Sequence, residues 1–249
     1  FYDSNDILNC KESRVSNISD TLTISENKLG LVNWGNIGSS FKWSRLWNES
    51  HYTNALISYS KYQSDYNESG TTTSSNIDGE LIEGSLSFEQ VNSIDDVTLK
   101  LDHEWFLSND QLIRMGMQLS NLGTVYRSKT DDITFVEHIE QNKTITTLYG
   151  LGIFQPLNRL KLNLGLRGNH YSMTNKWYFE PRLSLAHQTT KNLNLKAAYG
   201  NYYQFVNQSN TKNALQGSRD FWLLADDITI PIQKARHITA GMEYRYEDY

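Results

Sequence analysis

The chain has few cysteines, which cross-link small soluble domains, and few prolines, which interrupt their strands. Its 249 residues include one cysteine, Cys10, and three prolines. A single cysteine excludes an intrachain disulfide framework and any CxxC site. So few prolines are compatible with long strands, because proline cannot donate to a β-ladder. The chain also lacks an apolar run of ~18 residues, which a transmembrane helix requires.

Charge and residue spacing exclude further classes. The formal net charge of −5 argues against a nucleic acid partner. The six histidines are scattered, without HExxH or a similar spacing. The acid pairs Asp131-Asp132 and Asp226-Asp227 fall far short of the ~6–8 oxygen ligands of calcium, so we interpret them as solvated loop charge. We expect no cofactor and no enzymatic activity, since no nucleophile or acid–base pair stands out.

What the chain does contain is a strict alternation of apolar and polar residues. Three successive segments, Leu160–Leu166, Trp177–Leu185 and Leu193–Tyr199, place apolar residues at every second position. This period predicts strands with one apolar and one polar face. The segments are longer than the ~5–6 residues of an average strand and approach the ~9–11 that cross a bilayer. The pattern predicts an all-β fold, an antiparallel transmembrane β-barrel with water inside.

The same rule predicts about nine strands over the chain. Residues 1–29 are polar and predict a loop, and long polar loops are predicted near 66–93, 121–143 and 207–232. Tight turns are predicted near 48–50, 108–110, 156–158 and 189–191. A weaker alternation from Ile82 to Phe88 indicates either an extension of the next strand or a separate strand that turns at Asn92–Asp96. Short turns at one end and long loops at the other are typical of outer-membrane barrels.

Two groups of residues are candidates for function. Four are predicted to face the lumen: Arg167, Glu180, Arg182 and Lys196. Glu180 and Arg182 flank Pro181, where we expect a disturbed ladder; they form a wall ion pair or, alternatively, a polar path or plug-docking pair. Five are predicted to contact a ligand: Tyr203, Gln204, Asn207, Phe221 and Trp222. Amides beside large rings suit sugars, peptides or siderophores, while the alternative near Tyr203 is an interfacial girdle.

Several strand segments occur in the order and spacing of a known family. They are GLR at Gly165–Arg167, FEPRLSL at Phe179–Leu185, LKAAYGNYYQ at Leu195–Gln204, and the longer stretches Asn92–Trp105 and Phe221–Tyr246. Together they resemble the barrel of a TonB-dependent outer-membrane receptor of the kind common in Bacteroidetes. The resemblance implies ligand-gated active uptake across the bacterial outer membrane. It also implies partners: membrane lipid, an extracellular small ligand, the TonB complex reached through a plug, and a candidate surface lipoprotein.

The chain also departs from that family. Such receptors close about 22 strands around an N-terminal plug, and residues 1–249 show neither a plug nor a TonB box. We therefore expect residues 1–249 to be part of one barrel domain, with the plug and further strands outside this chain. We also expect the strand near 30–46 not to pair with the strand near 233–247. An open strand edge in lipid would leave costly unpaired backbone groups, so we expect these strands to pair with further strands before residue 1 and after residue 249.

Three alternatives stay open from the residues alone. The first is a complete small barrel of ~8–10 strands. The second is a passive porin-like channel, which would need a constriction loop folded into the lumen. The third is a scaffold barrel that docks surface lipoproteins or a secretion complex.

Overall fold

The computed structural model describes residues 2–19, 22–75, 80–130, 135–213 and 217–246. Their regular structure consists of strands: β1 (Tyr2–Ser19), β2 (Leu22–Asn48), β3 (His51–Ser75), β4 (Leu81–Ser108), β5 (Gln111–Thr130), β6 (Phe135–Leu157), β7 (Leu160–Tyr171), β8 (Lys176–Gln188), β9 (Leu193–Gln204), β10 (Val206–Asn213), β11 (Gly217–Leu224) and β12 (Gln233–Tyr244). Within these ranges, no helix is long and apolar enough to cross a membrane.

Ten of the strands form one antiparallel sheet. Each strand from β1 to β9 pairs with its neighbour in sequence, and β12 pairs with β9. The strands β10 and β11 form a separate hairpin between β9 and β12. In the described part of the chain, β1 and β12 are the two edges of the sheet. β2 pairs with β1 and β3, so the first predicted membrane strand does not pair with the last. The prediction that its partner lies before residue 1 was wrong, because that partner is β1, within residues predicted to be a loop.

One end of the sheet carries the tight turns, at the positions predicted. Two-residue turns at 49–50, 109–110 and 158–159 join β2 to β3, β4 to β5 and β6 to β7. In the first of these, the backbone N–H of Ser50 donates to Asn48 Oδ1 at 2.8 Å, which closes the turn locally. We call this end of the sheet the tight-turn end and the opposite one the outer end.

The strands are far longer towards the outer end than the alternation predicts. β2 to β6 contain 27, 25, 28, 20 and 23 residues. The predicted loops at 1–29, 66–93 and 121–143 were wrong, because these residues lie largely in β1 to β6. β4 is continuous, so there is no turn at Asn92–Asp96. Alternation is weak in these stretches because a strand that leaves the membrane need not bury one face.

The two faces of the sheet differ in polarity, as the alternation predicts. The apolar face is exposed over most of the strands and includes Phe41, Ile57, Leu99, Met117, Leu148, Leu166, Phe179, Leu183 and Leu195. Leu166, for example, is 53% exposed. A continuous apolar surface of this extent is not normal for a soluble monomer. The opposite polar face carries the charged side chains, including Lys100, Arg114 and Arg182.

The small buried core lies between the sheet and the hairpin. Tyr126 of β5 packs with Phe221 and Leu223 of β11, and Ile139 and Ile230 lie against this cluster. The residues 207–232, predicted to be a loop, therefore contain a hairpin that folds back on the polar face.

Candidate functional site

The β10–β11 hairpin closes over the polar face near its outer end. β11 contacts β4, β5 and β6, which are distant in sequence from the point where the hairpin leaves β9. The ring of Phe221 stacks on Tyr126 with centroids 4.2 Å apart and an interplanar angle of 27°. Such stacking adds to the burial of both rings, so this contact is the apolar part of the attachment.

Asn92 is the polar part of the attachment. Its side chain is 1% exposed. Its Nδ2 donates to the backbone oxygens of Val125 at 3.1 Å and Trp222 at 3.2 Å, and its Oδ1 accepts the N–H of Trp222 at 2.8 Å. Asn92 thus pairs with the backbone of β11 as a neighbouring strand would. These bonds join neutral groups, and water can replace such bonds at low net cost.

Gln141 of β6 makes a similar bond to β11, two residues beyond Trp222. Its Oε1 accepts the backbone N–H of Leu224 at 3.0 Å and the hydroxyl of Thr124 at 3.4 Å. Two amide side chains of the sheet therefore replace a backbone ladder. The hairpin is docked on the sheet without being part of it.

The return segment after the hairpin is fixed by Asp226. Its carboxylate accepts the backbone N–H groups of Ile230, Ile228 and Thr229 at 2.8, 3.0 and 2.8 Å. These bonds, that of Ile230 first, hold the pKa of the Asp226 carboxyl below its usual value. The carboxylate therefore stabilises the turn at 226–230. In the described residues, no group of three or more His, Cys, Asp or Glu side chains is placed to hold a metal ion.

Towards the tight-turn end, the polar face carries a row of interacting side chains. The register aligns Asp102, Gly116, Tyr149, Arg167 and Glu180 across β4 to β8. The Tyr149 hydroxyl donates to the Asp102 carboxylate across β5. This reach requires glycine at position 116, since a Cβ there would collide with the Tyr149 ring. The contact between Tyr149 and Asp102 therefore depends on the glycine at position 116 as well as on the two polar groups.

A recess of about 540 Å³ opens beside this row. Five cations line it: Lys42, Lys100, Arg114, Arg167 and Arg182. Only two carboxylates line it, and both are already paired. Lys100 lies 3.0 Å from Asp102, and Arg114 lies 2.6 Å from Glu104. The recess thus presents an excess of positive charge to whatever fills it.

Glu180 ties three strands together at the edge of this recess. It is 4% exposed, and it accepts Arg182 Nη2 at 2.8 Å, Asn169 Nδ2 at 3.1 Å and the backbone N–H of Tyr203 at 3.0 Å. The β8–β9 ladder stops at Arg182, next to Pro181. Because proline has no N–H to donate, the Glu180 carboxylate takes over the bonding to β9. The disturbed ladder predicted at Pro181 is present.

The four residues predicted to face the lumen all lie on the polar face. Arg167, Glu180 and Arg182 are close together, and Arg167 Nε donates to Asn169 Oδ1 at 3.0 Å. Lys196 lies apart from them, where it pairs with Glu243 at 2.6 Å and is 57% exposed. The structure thus groups three of the four.

The five predicted ligand contacts lie in two different environments. Three are accessible: Tyr203, Gln204 and Trp222 are half-buried or exposed. Asn207 and Phe221 are buried. Phe221 is held by Tyr126, and Asn207 Nδ2 donates to the Pro231 oxygen at 2.6 Å. The last two therefore position the hairpin, whereas the first three are open to solvent.

Other residues of the site gave no signal in the sequence. Asn92 and Tyr126 lie in or beside stretches interpreted as loops, and Gln141 is one of many polar residues in such a stretch. Asp102 and Tyr149 lie in predicted strands, but 47 residues separate them, and only the register of β4 to β6 shows that they meet. Their contact follows from pairing, which a single sequence does not reveal.

The sequence matches one family model over residues 11–246, that of the TonB dependent receptor-like beta-barrel. The chain belongs to this family. Membership places it in the bacterial outer membrane, in a family that transports and does not catalyse. The apolar face accordingly faces lipid and the polar face lines the lumen.

Matches to solved structures are at low sequence identity. The ferric enterobactin receptor PfeA of Pseudomonas aeruginosa (a G324V mutant) shares 11% identity over 98% of this chain, with a TM-score of 0.48. The siderophore receptor PirA of Pseudomonas aeruginosa shares 10% over 97%, with a TM-score of 0.45. The RagAB peptide transporter shares 8% over 89%, with a TM-score of 0.46. The chain covers 49%, 50% and 28% of these proteins. No curated protein sequence matches it.

Proposed function

We propose that the chain is part of the wall of a ligand-gated, TonB-dependent receptor that actively takes up a siderophore, an oligosaccharide or a peptide. The observation that supports this most is the hairpin docked on the lumen side by Asn92, Gln141 and Tyr126. A gate must have two arrangements of similar free energy, so that a ligand with unequal affinity can shift them. An element attached by neutral side-chain bonds meets this requirement better than a paired strand.

The accessible residues at the outer end suggest how ligand would be contacted. Trp222 and Tyr203 offer ring surfaces, and Gln204 offers an amide. Phe221 and Asn207 would hold these groups in place. The excess of cations in the recess favours a ligand with anionic groups, such as a ferric siderophore or an acidic oligosaccharide or peptide.

The proposal includes partners that lie outside this chain. A plug domain and further strands would complete the lumen, and the plug would contact the TonB complex. A surface lipoprotein is a further proposed partner, in the Bacteroidetes-type arrangement. Co-purification of the full-length receptor from outer membranes would test both contacts.

Uptake is tested with the full-length receptor in cells that lack other receptors for the probes. Labelled ferric siderophore, acidic oligosaccharide and peptide would be supplied separately. We expect one class to accumulate, and accumulation to stop when an uncoupler dissipates the inner-membrane gradient. Trp222→Ala should weaken ligand binding roughly three- to tenfold, because it removes a stacking surface. Phe41→Ala, which removes an exposed ring from the lipid face, is the control. Accumulation that ignores the uncoupler would contradict active uptake.

A passive channel is the second candidate, because the inward-folded hairpin is also what a constriction loop would look like. Single-channel conductance of the purified full-length protein separates the two. A steady open conductance would support the passive channel. A closed baseline in the same bilayers would support the receptor.

A further inference from the structure

A cluster of rings and cationic or polar groups lies on the lipid face, away from the lumen, at the tight-turn end of β2 to β4. The Arg45 guanidinium lies 4.1 Å from the centre of the Trp47 ring. Trp47 Nε1 donates to Thr53 Oγ1 at 2.9 Å, and Trp43 meets Trp47 edge-on at 6.4 Å. These residues alternate with lumen-facing ones such as Lys42, so they point outward.

Two histidines continue this cluster across β3 and β4. His103 Nδ1 lies 2.9 Å from Thr53 Oγ1, and its Nε2 lies 3.2 Å from His51 Nδ1. His51 stacks on Trp105 with centroids 5.8 Å apart. The register places Arg45, Thr53 and His103 in one row, so the guanidinium and the imidazole face the same side.

Such residues are unusual on a face that meets lipid. A cation there is costly at mid-depth and tolerated only near an interface, and tryptophan belts mark the level of the headgroups. Arg45 has no carboxylate partner in the described part of the chain. Its N–H groups are therefore free to bind a phosphodiester, the anion present at that level, through charge-assisted bonds.

An apolar groove of about 870 Å³ begins at His103 and crosses β4 to β8 on the same face. Its other walls include Met115, Met117, Leu148, Leu166, Trp177 and Phe179. The groove exists because Gly150 and Gly168 have no side chains. A Cβ on Gly150 would meet no atom within 4 Å, so this part of the groove is open space.

We propose that this face binds one glycerophospholipid of the periplasmic leaflet. Its phosphate would lie against the Arg45 guanidinium, and one acyl chain would fill the groove. His103 belongs to both parts, so they form one continuous site. Short turns mark the periplasmic end of outer-membrane barrels, which assigns the leaflet. Free phosphate would satisfy only Arg45 and leave the groove empty, which is why a lipid is the occupant.

The test uses the full-length receptor, purified in detergent, washed free of lipid and titrated with phosphatidylglycerol. Native mass spectrometry counts the bound lipid, and heat-dependent gel mobility confirms that each variant is folded. We expect one high-affinity lipid. Arg45→Gln should weaken its binding about tenfold by removing a charge-assisted bond. Gly150→Leu should weaken it at least about tenfold by filling the groove, and Gly150→Ala should weaken it less.

Matched controls keep the test specific. Arg236→Gln changes an exposed arginine of β12, and Gly84→Leu adds the same side chain where the outer part of β4 has open space. Both should bind lipid like the parent. Unchanged affinity in either Arg45→Gln or Gly150→Leu would overturn the proposal, as would equal losses in the controls. Displacement of the lipid by millimolar inorganic phosphate would also overturn it, since the site would then be one for free phosphate.

Discussion

Glu180 and Asn92 are both buried on the polar face and both accept or donate three hydrogen bonds, yet they hold different kinds of structure. Glu180 is charged and joins β8 to its sequence neighbours β7 and β9. Asn92 is neutral and joins β4 to a hairpin 130 residues further along the chain. A carboxylate that loses its partners stays costly to bury, whereas an amide readily exchanges its partners for water. The strands β7 to β9, joined by Glu180, should therefore stay paired, whereas the hairpin can undock from the sheet. We call these strands the wall.

The largest effect is expected at the wall. Glu180→Leu should destabilise the full-length receptor by about 2–3 kcal/mol, below the ~3–5 kcal/mol of a fully buried pair, because Arg182 is 42% exposed. It also removes the acceptor of the Tyr203 N–H and of Asn169 Nδ2. Glu180→Gln keeps an acceptor and should cost only roughly 1 kcal/mol. Denaturant unfolding of the barrel in lipid vesicles measures both. Equal losses in the two variants would show that the charge does not matter.

The second effect concerns the hairpin and should leave the wall intact. Asn92→Leu removes all three bonds to Val125 and Trp222, which weakens docking by about 1–3 kcal/mol. Exchange of backbone amides in residues 217–224 should accelerate roughly five- to 150-fold. Hydrogen–deuterium exchange of the full-length receptor measures this. Asn163→Leu, which removes a bond to Ser184 at 2.8 Å on the wall, is the control and should leave the exchange of the hairpin unchanged. Acceleration in both variants would mean that the two regions are not separate.

The contrast between the regions also explains what the sequence predicts. Within the membrane, lipid demands an apolar residue at each second position, so β7, with Leu160, Leu162, Leu164 and Leu166, is evident from alternation. Towards the outer end no such demand acts, and β1 and the outer half of β3 were interpreted as loops. The hairpin was missed for the same reason, since its first strand, VNQSNTKN, is almost entirely polar. Its docking residues, Asn92 and Gln141, come from strands far away in sequence, and only three-dimensional pairing brings them to β11.

The stack of Tyr126 on Phe221 should contribute less than Asn92. A double-mutant cycle with Tyr126→Ala and Phe221→Ala isolates the pair from the burial of each ring. We expect a coupling free energy of about 0.5–1.5 kcal/mol, the usual range for aromatic pairs. The same amide exchange in residues 217–224 supplies the free energies. Additive effects would mean that the rings pack independently and that the amides alone hold the hairpin.

The smallest effect is expected for the ion pair between Lys196 and Glu243. Its distance of 2.6 Å is short, but Lys196 is 57% exposed and Glu243 38%. Water therefore screens the attraction, and holding two long side chains together costs entropy, so an exposed pair contributes little to stability. Lys196→Gln should leave the denaturant midpoint almost unchanged, and any shift should shrink further in high salt. Glu180→Gln in the same buffers provides the comparison, because its partly buried pair should be less sensitive to salt. A large, salt-sensitive loss of stability in Lys196→Gln would mean that exposed charges stabilise the sheet. Burial of Glu180 would then not explain why its pair matters more.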